Sequence, residues 1–344
     1  MKLYLENGYL NVPYIYERGY PFTLVCGGRG TGKTFGALSM CRTQGIKFIY
    51  LRRTQAQADL VMKQDYSPFK SVDRVLGTYT VTTTINKYTG GFYSVELAED
   101  GLAKPTGAPI GYIMALSTFS NMRGFDASDV QLIIYDEFIP ERHERPIKNE
   151  FDALMNCYET VNRNRELDGL PPCKLLALSN SNNMSNPLFM GMGLVQRAVK
   201  MQEKSVEMFE DQKRGVALYM LAHSPISEKK AKTAVYRLTE GSDFARMSLG
   251  NEFTKDVPSR TESRPLSEYK PIVTVGEVTI YRHKSAAEFY VSTHRRGDPA
   301  VYSDSETDLM RFRRTYGWLW ERYLSNLIIF ENYTCEILLT KYLT

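Results

Sequence analysis

The chain has 344 residues, 43% of them hydrophobic and 24% charged, with a formal net charge of +4. That length allows more than one core, and the composition excludes disordered, collagen-like and disulfide-rich classes. So small a charge excess excludes nucleic-acid binding through bulk electrostatics; any such contact must come from local patches. Cys26, Cys41, Cys157, Cys173 and Cys335 show no C-x-x-C spacing and no neighbouring histidine pattern. They read as reduced thiols of a cytosolic protein, without disulfides or zinc. The opening MKLYLENGYL is too polar and interrupted for a signal peptide. No run approaches transmembrane length, so no membrane partner is expected.

In chain order, a tyrosine-rich lead-in carries Tyr14, Tyr16 and Tyr20. One of them could stack on an adenine ring, or each could pack a sheet edge. Phe22 to Cys26 then reads as a buried parallel strand entering Gly27-Gly28-Arg29-Gly30-Thr31-Gly32-Lys33-Thr34, with Phe35 to Arg42 as the following helix. This fits G-x-x-x-x-G-K-[ST] at every fixed position, in the strand–loop–helix context that a phosphate-binding loop requires. Glycines let successive N–H groups curl around an anion, and the helix N-terminus adds partial positive charge. Lys33 is expected on the β/γ-phosphates of ATP and the Thr34 hydroxyl on Mg²⁺. Arg29, inside the loop, is a further basic candidate.

Lys47 to Leu51 reads as a second strand, followed by Arg52, Arg53 and a helix capped by Thr54. At that sheet edge the two arginines could meet nucleotide or a neighbouring subunit, or form a solvated charge pair. Thr80 to Asn86 and Phe92 to Leu97 are expected as a hairpin turning through Tyr88-Thr89-Gly90-Gly91. Val130 to Tyr135 is an apolar strand ending in Asp136-Glu137, which reads as a Walker B pair. Asp136 would hold Mg²⁺ and Glu137 would polarise the water that attacks the γ-phosphate.

Asn149 to Thr160 has helical periodicity, and Arg163 and Arg165 follow it. Lys174 to Leu178 is another buried strand, ending in Ser179-Asn180-Ser181-Asn182-Asn183. Ser179 or Asn180 could sense the γ-phosphate there, or the cluster could be a turn. Gln196 to Arg214 reads as a helix, followed by the Lys229-Lys230-Ala231-Lys232 cluster and a helix over Ala234 to Leu249. Beyond Asp256 strands are expected near Ile272–Val275, Glu277–Arg282 and Glu288–Thr293, with a helix over Thr307–Leu324.

GGRGTGKT, IYLRRTQAQ, TFSNMRGFDASDVQLIIYDEF and LALSNSNN, in that order, resemble the DNA-packaging ATPases of small tailed bacteriophages of the phi-29 type. These are relatives of the large terminases and of ring-forming DNA translocases. The resemblance covers residues 1 to about 200 well. It implies an α/β fold: a P-loop ATPase domain of the additional-strand, catalytic-glutamate class with a central, mostly parallel sheet over residues 1–205. A helical linker over 206–255 and a small α+β, RNase H-like domain over 256–344 would follow. It further implies an ATP-hydrolysing translocase that packages double-stranded DNA in the host cytoplasm. The motor would be a homomeric, pentameric ring at the portal (connector) vertex of a prohead, with packaging RNA as a further partner.

In such a ring an arginine from the next subunit can stabilise the leaving γ-phosphate. Arg163 or Arg165 is preferred for that catalytic role, with Arg123 as another candidate. The tail offers Glu277 at a strand edge and Asp298, Asp304, Asp308 and Glu331 scattered elsewhere. No set of carboxylates for a two-metal nuclease assembles from them, so the domain is expected to be vestigial and non-cleaving. Its basic residues, including Arg295, Arg296, Arg311, Arg313 and Arg314, are candidates for DNA contact. Two other readings stay open: a terminase with an active nuclease tail, and a nucleotide-gated assembly protein that moves nothing.

Overall fold

Short, unbroken apolar runs need cover on both faces, and strands lying side by side under helices supply it. The computed structural model describes residues 2–97, 103–105, 107–122, 125–140, 144, 147, 149–180, 184, 186–222, 224–242, 245, 248–249, 261–325 and 327–343. They form two units, Met1–Thr254 and Lys255–Thr344.

The first unit is built on a 10-stranded sheet. Its strands are β1 (Phe22–Gly27), β2 (Phe48–Arg52), β3 (Thr80–Asn86), β4 (Thr89–Leu97), β5 (Ala103–Pro105), β6 (Gly111–Ala115), β7 (Leu132–Asp136), β8 (Lys174–Ser179), β9 (Met208–Asp211) and β10 (Val216–Leu221). They lie in the order β3-β4-β6-β2-β7-β8-β1-β10-β9, with β5 on β4. From β6 to β10 every neighbouring pair is parallel. The flanking β3, β4 and β9 run antiparallel to their neighbours. The helices are α1 (Val12–Glu17), α2 (Lys33–Gln44), α3 (Gln55–Val61), α4 (Phe69–Leu76), α5 (Glu150–Asn162), α6 (Pro187–Gly191), α7 (Val195–Glu203), α8 (Pro225–Ala231) and α9 (Ala234–Leu238).

Local chemistry explains several boundaries. Thr54 caps α3 in a reciprocal capping box with Gln57, and Gly45 ends α2 in the left-handed conformation. The β3–β4 hairpin turns earlier than expected, at Lys87-Tyr88, so Gly90 and Gly91 are strand residues. A Cβ on Gly90 would lie 2.6 Å from Met62 Cγ; the glycine permits close packing rather than a turn.

The expected helical linker over 206–255 is corrected in its first part. α7 stops at Glu203, and residues 208–221 form β9 and β10, which extend the main sheet beside β1. All six residues of β10 are buried, the pattern of an inner parallel strand rather than of a charged helix. The helix expected over Ala234 to Leu249 is interrupted: α9 ends at Leu238, a turn runs through Ser242, and Ala245, Ser248 and Leu249 are helical again.

The second unit has a five-stranded sheet. Its strands are β11 (Tyr269–Val275), β12 (Val278–His283), β13 (Phe289–Ser292), β14 (Ala300–Tyr302) and β15 (Ile328–Phe330), in the order β14-β11-β12-β13-β15. β11, β12 and β13 are antiparallel, whereas the flanking β14 and β15 run parallel to their neighbours. Helices Glu306–Tyr316, Leu319–Leu324 and Tyr333–Leu343 accompany it; the single helix expected over Thr307–Leu324 is therefore broken at Gly317-Trp318. Phe312, Leu319 and Leu339 join Val273, Ile280, Val291 and Phe330 in one core. No helix among the described residues is long and apolar enough to cross a membrane.

Candidate nucleotide site

Parallel strands deliver their C-terminal ends to one edge of the sheet, where ligands bind in folds of this kind. β1 ends in the glycine loop, β7 in Asp136 and β8 in Ser179, and β8 lies between the other two. A cavity of about 330 Å³ at this edge is lined by residues 29–35, Asp136, Glu137, Ser179 and Asn180. Sequence positions more than 140 apart thus converge.

Gly30 and Gly32 have φ of 69° and 90°, and Gly32 is the N-cap of α2. A side chain at either would be strained, and the loop could not curl as it does. Lys33 is buried and folded back on its own loop. Its Nζ reaches the carbonyls of Gly27 at 2.8 Å and Gly28 at 2.9 Å, Thr31 Oγ1 at 3.3 Å and Asn180 Oδ1 at 3.4 Å. Burial pushes its ammonium down to about 8, against the opposing pull of Asp136. It remains mostly charged at neutral pH, aimed where an anion would lie.

The Thr34 hydroxyl donates to both carboxylate oxygens of Asp136 at 3.1 Å. Tyr50 OH donates to the same carboxylate at 2.5 Å, and Arg52 lies 3.4 Å from it. Burial raises the Asp136 pKa, while Arg52 and the Tyr50 hydrogen bond work the other way. Thr34 and Asp136 are hard oxygen donors side by side, a set suited to Mg²⁺. Glu137 follows with φ of 58°, its N–H donating to Leu178 O at 2.7 Å. This left-handed turn takes the chain off the strand, and the half-exposed carboxylate pairs with Arg52. Glu137 is thereby held to one side.

The two Ser/Asn candidates separate. Ser179 is buried and accepts from Ile139 N–H at 3.2 Å, bracing the turn after Glu137, whereas Asn180 faces Lys33. Ser181 to Asn183 and Arg123 lie outside the described residues. Arg163 and Arg165 do not line the cavity. Arg163 donates to Phe125 O at 3.1 Å, and Arg165 donates to the carbonyls of Pro171, Ser128 and Val130, just before β7 begins. The tyrosines of the lead-in are structural: Tyr14 packs on the core, Tyr16 lies under the Lys174 ammonium, and Tyr20 is buried. The tyrosine beside the loop is Tyr9, 3.1 Å from a Cβ placed on Gly32.

Four further features were not read from the sequence. Tyr50 and Arg52 both reach Asp136, and the period-2 alternation of β2 could have separated Arg52 from Arg53. Arg53 is fully buried on the opposite face, bidentate on Glu150 at 2.8 and 2.9 Å and paired with Glu144 at 2.7 Å. It is neither solvated nor near the cavity. Lys230 hydrogen-bonds the carbonyl of Arg29 in the loop, a contact across 201 positions that no spacing rule reveals. In the second unit, Glu331 accepts from Ser292, Thr293 and His294, and Asp308 from Ser303. Among the described residues no three His, Cys, Asp or Glu side chains gather as a metal site.

A glycine loop on β1, an acid-tipped β7 and a strand between them define a P-loop nucleotide-binding fold. The chain belongs to the Podovirus DNA encapsidation protein (Gp16) family, whose model matches residues 9–300. It is 28% identical to the DNA packaging protein of Bacillus phage phi29 over 255 residues, 72% of this chain and 66% of that protein. The same identity holds to the DNA packaging protein of Bacillus phage B103 over 254 residues, 72% of this chain and 68% of that protein. The matched stretch thus spans slightly less than two thirds of the phi29 protein's length. Two solved structures share the fold. The Phi-28 gp11 DNA packaging motor has a TM-score of 0.65 at 19% identity, covering 98% of both chains. The bacteriophage Phi-29 viral genome packaging motor assembly has a TM-score of 0.63 at 20% identity, covering 100% of both.

Proposed function

We propose that this chain is the ATP-hydrolysing, double-stranded-DNA-translocating subunit of a phage genome-packaging motor. The observation that carries the reading is the single cavity in which the loop, Asp136, Glu137 and Asn180 meet. Lys33, with the loop N–H groups, binds the phosphates; Thr34 and Asp136 hold Mg²⁺; Asn180 senses the phosphate that Lys33 engages. Held there, Mg²⁺ would supply neutralisation of the phosphate charge. Glu137 leaves Arg52 and orients the attacking water as general base.

Membership of a DNA encapsidation family supports the substrate, and the likeness to two packaging-motor structures supports the assembly. The subunits would form a homomeric, pentameric ring at the portal vertex of a prohead in the host cytoplasm, with packaging RNA as a further partner. An arginine of the neighbouring subunit would complete the site. Arg163, half-exposed, suits that role better than Arg165, whose donors serve three backbone carbonyls. Arg123 stays a candidate on sequence grounds. The second unit is read as a diverged, non-cleaving RNase H-like domain that docks on partners or DNA.

Glu137→Gln tests the central assignment. It should bind ATP like the wild type and lose turnover by a factor of about 10²–10⁴, the range for a general base. Hydrolysis at the normal rate would remove Glu137 from the mechanism. DNA-stimulated hydrolysis by the wild type separates a motor from a passive nucleotide switch.

A further inference from the structure

The segment after β10 returns to the glycine loop. Gly8 has φ of 91°, and a Cβ there would lie 3.0 Å from Ile226 N, so the N-terminal turn seats the start of α8. Ile226 is buried, which anchors the helix further. Downstream, the Ser248 carbonyl oxygen lies 2.3 Å from where a Cβ on Gly28 would be. Between these contacts, Lys230 places Nζ 3.0 Å from the Cβ position of Gly30 and donates to Arg29 O. A side chain at Gly28 would collide with this segment, and one at Gly30 would crowd the Lys230 ammonium.

Among the described residues the Lys230 ammonium has no anionic partner. Its hydrogen bond goes to a neutral carbonyl and its ring contact is to Tyr236, 5.3 Å to the centroid. Lys33, on the other side of the loop, also spends its hydrogen bonds on neutral oxygens, although it feels the pull of Asp136. Two like charges on one loop repel, and an anion between them would relieve both. A lysine also suits the exchange of partners, since its compact charge rides on a flexible four-carbon stem.

We propose that Lys230 is a second phosphate-binding lysine, which leaves the Arg29 carbonyl for the phosphate chain of a bound nucleoside triphosphate. The proposal rests on the nucleotide-site reading above and adds a ligand from α8 to it. A charge-assisted contact of this kind is stronger with more phosphate charge and is weakened by salt.

The test is calorimetric titration of the full chain with Mg²⁺-ATPγS and Mg²⁺-ADP at low and high NaCl. Lys230→Met should weaken ATPγS about tenfold and ADP less, with the deficit shrinking as salt rises. Lys230→Arg, which keeps the charge, should recover most of the loss. Lys33→Ala serves as the control for the loop itself. If Lys230→Met binds both nucleotides like the wild type, while Lys33→Ala does not, the proposal is overturned and the nucleotide site stands. Equal, salt-independent losses for ATPγS and ADP would also overturn it, reducing Lys230 to a brace for the loop. A wild-type chain that binds neither nucleotide would overturn the site reading together with the proposal.

Discussion

Replacing Arg53 with methionine should destabilise the first unit far more than any surface charge deletion. Arg53 and Glu150 have side chains 0% and 1% exposed and share a bidentate ion pair. Tyr135 OH also donates to the Glu150 carboxylate, at 2.6 Å. Methionine fills much of the arginine's volume but leaves that carboxylate buried without its cation, at a cost of about 3–5 kcal/mol. Glu144 is partly exposed and keeps Gln57, so it adds little to the loss. In Arg53→Met/Glu150→Gln the charge is gone and the amide oxygen can still accept from Tyr135. That double variant should recover to within about 1–2 kcal/mol of the wild type.

With urea slopes of about 1–3 kcal/mol/M, the single variant moves the midpoint down by about 1 M or more. The probe decides whether the experiment sees this. The chain has two tryptophans, Trp318 and Trp320, and both lie in the second unit. Tryptophan emission would follow the wrong unit, so far-ultraviolet circular dichroism should track the first. A loss below about 1 kcal/mol for Arg53→Met would refute the reasoning, because Glu150 would then have found another partner at little cost.

Two further outcomes concern partly exposed ion pairs of the first unit. By freeing Glu137, Arg52→Met should raise basal hydrolysis at saturating Mg²⁺-ATP by no more than about fivefold. Glu137 is half-exposed, so its ion pair is worth about 0.2–1 kcal/mol after screening; a fall of more than tenfold in single-turnover hydrolysis would contradict a merely restraining role. Glu210→Gln should flatten the acid side of the stability profile. The hydrogen bond from Arg18 holds the Glu210 pKa below its ordinary 4.5. Its contribution is therefore complete above that value and is lost as pH falls through the lower folded value. Melting temperatures of variant and wild type should differ at pH near 7 and converge in acid; an equal gap throughout would exclude this ion pair as the cause.

Contiguous residues determined what the sequence could show by itself. A phosphate loop is one short stretch between a strand and a helix, and GGRGTGKT carries its geometry in the order of its glycines. The acid pair Asp136-Glu137 is likewise local, because the apolar strand that presents it precedes it directly. The Thr54 cap was readable for the same reason. Where a residue's meaning depended on a distant partner, sequence reading fell short. Arg52 and Arg53 are neighbours in the chain, yet strand alternation sends one to the two acids at the cavity and the other into the interior beside Glu150. Residues 216–221 fall in the stretch expected as a helical linker, and only pairing with β1 decides that they belong to the main sheet. Lys230 reaches the loop because β10 runs parallel to β1 and delivers the following helix to the same edge. Tertiary structure alone decided these matters, since burial and charge pairing are set by whichever residues the fold brings close in space.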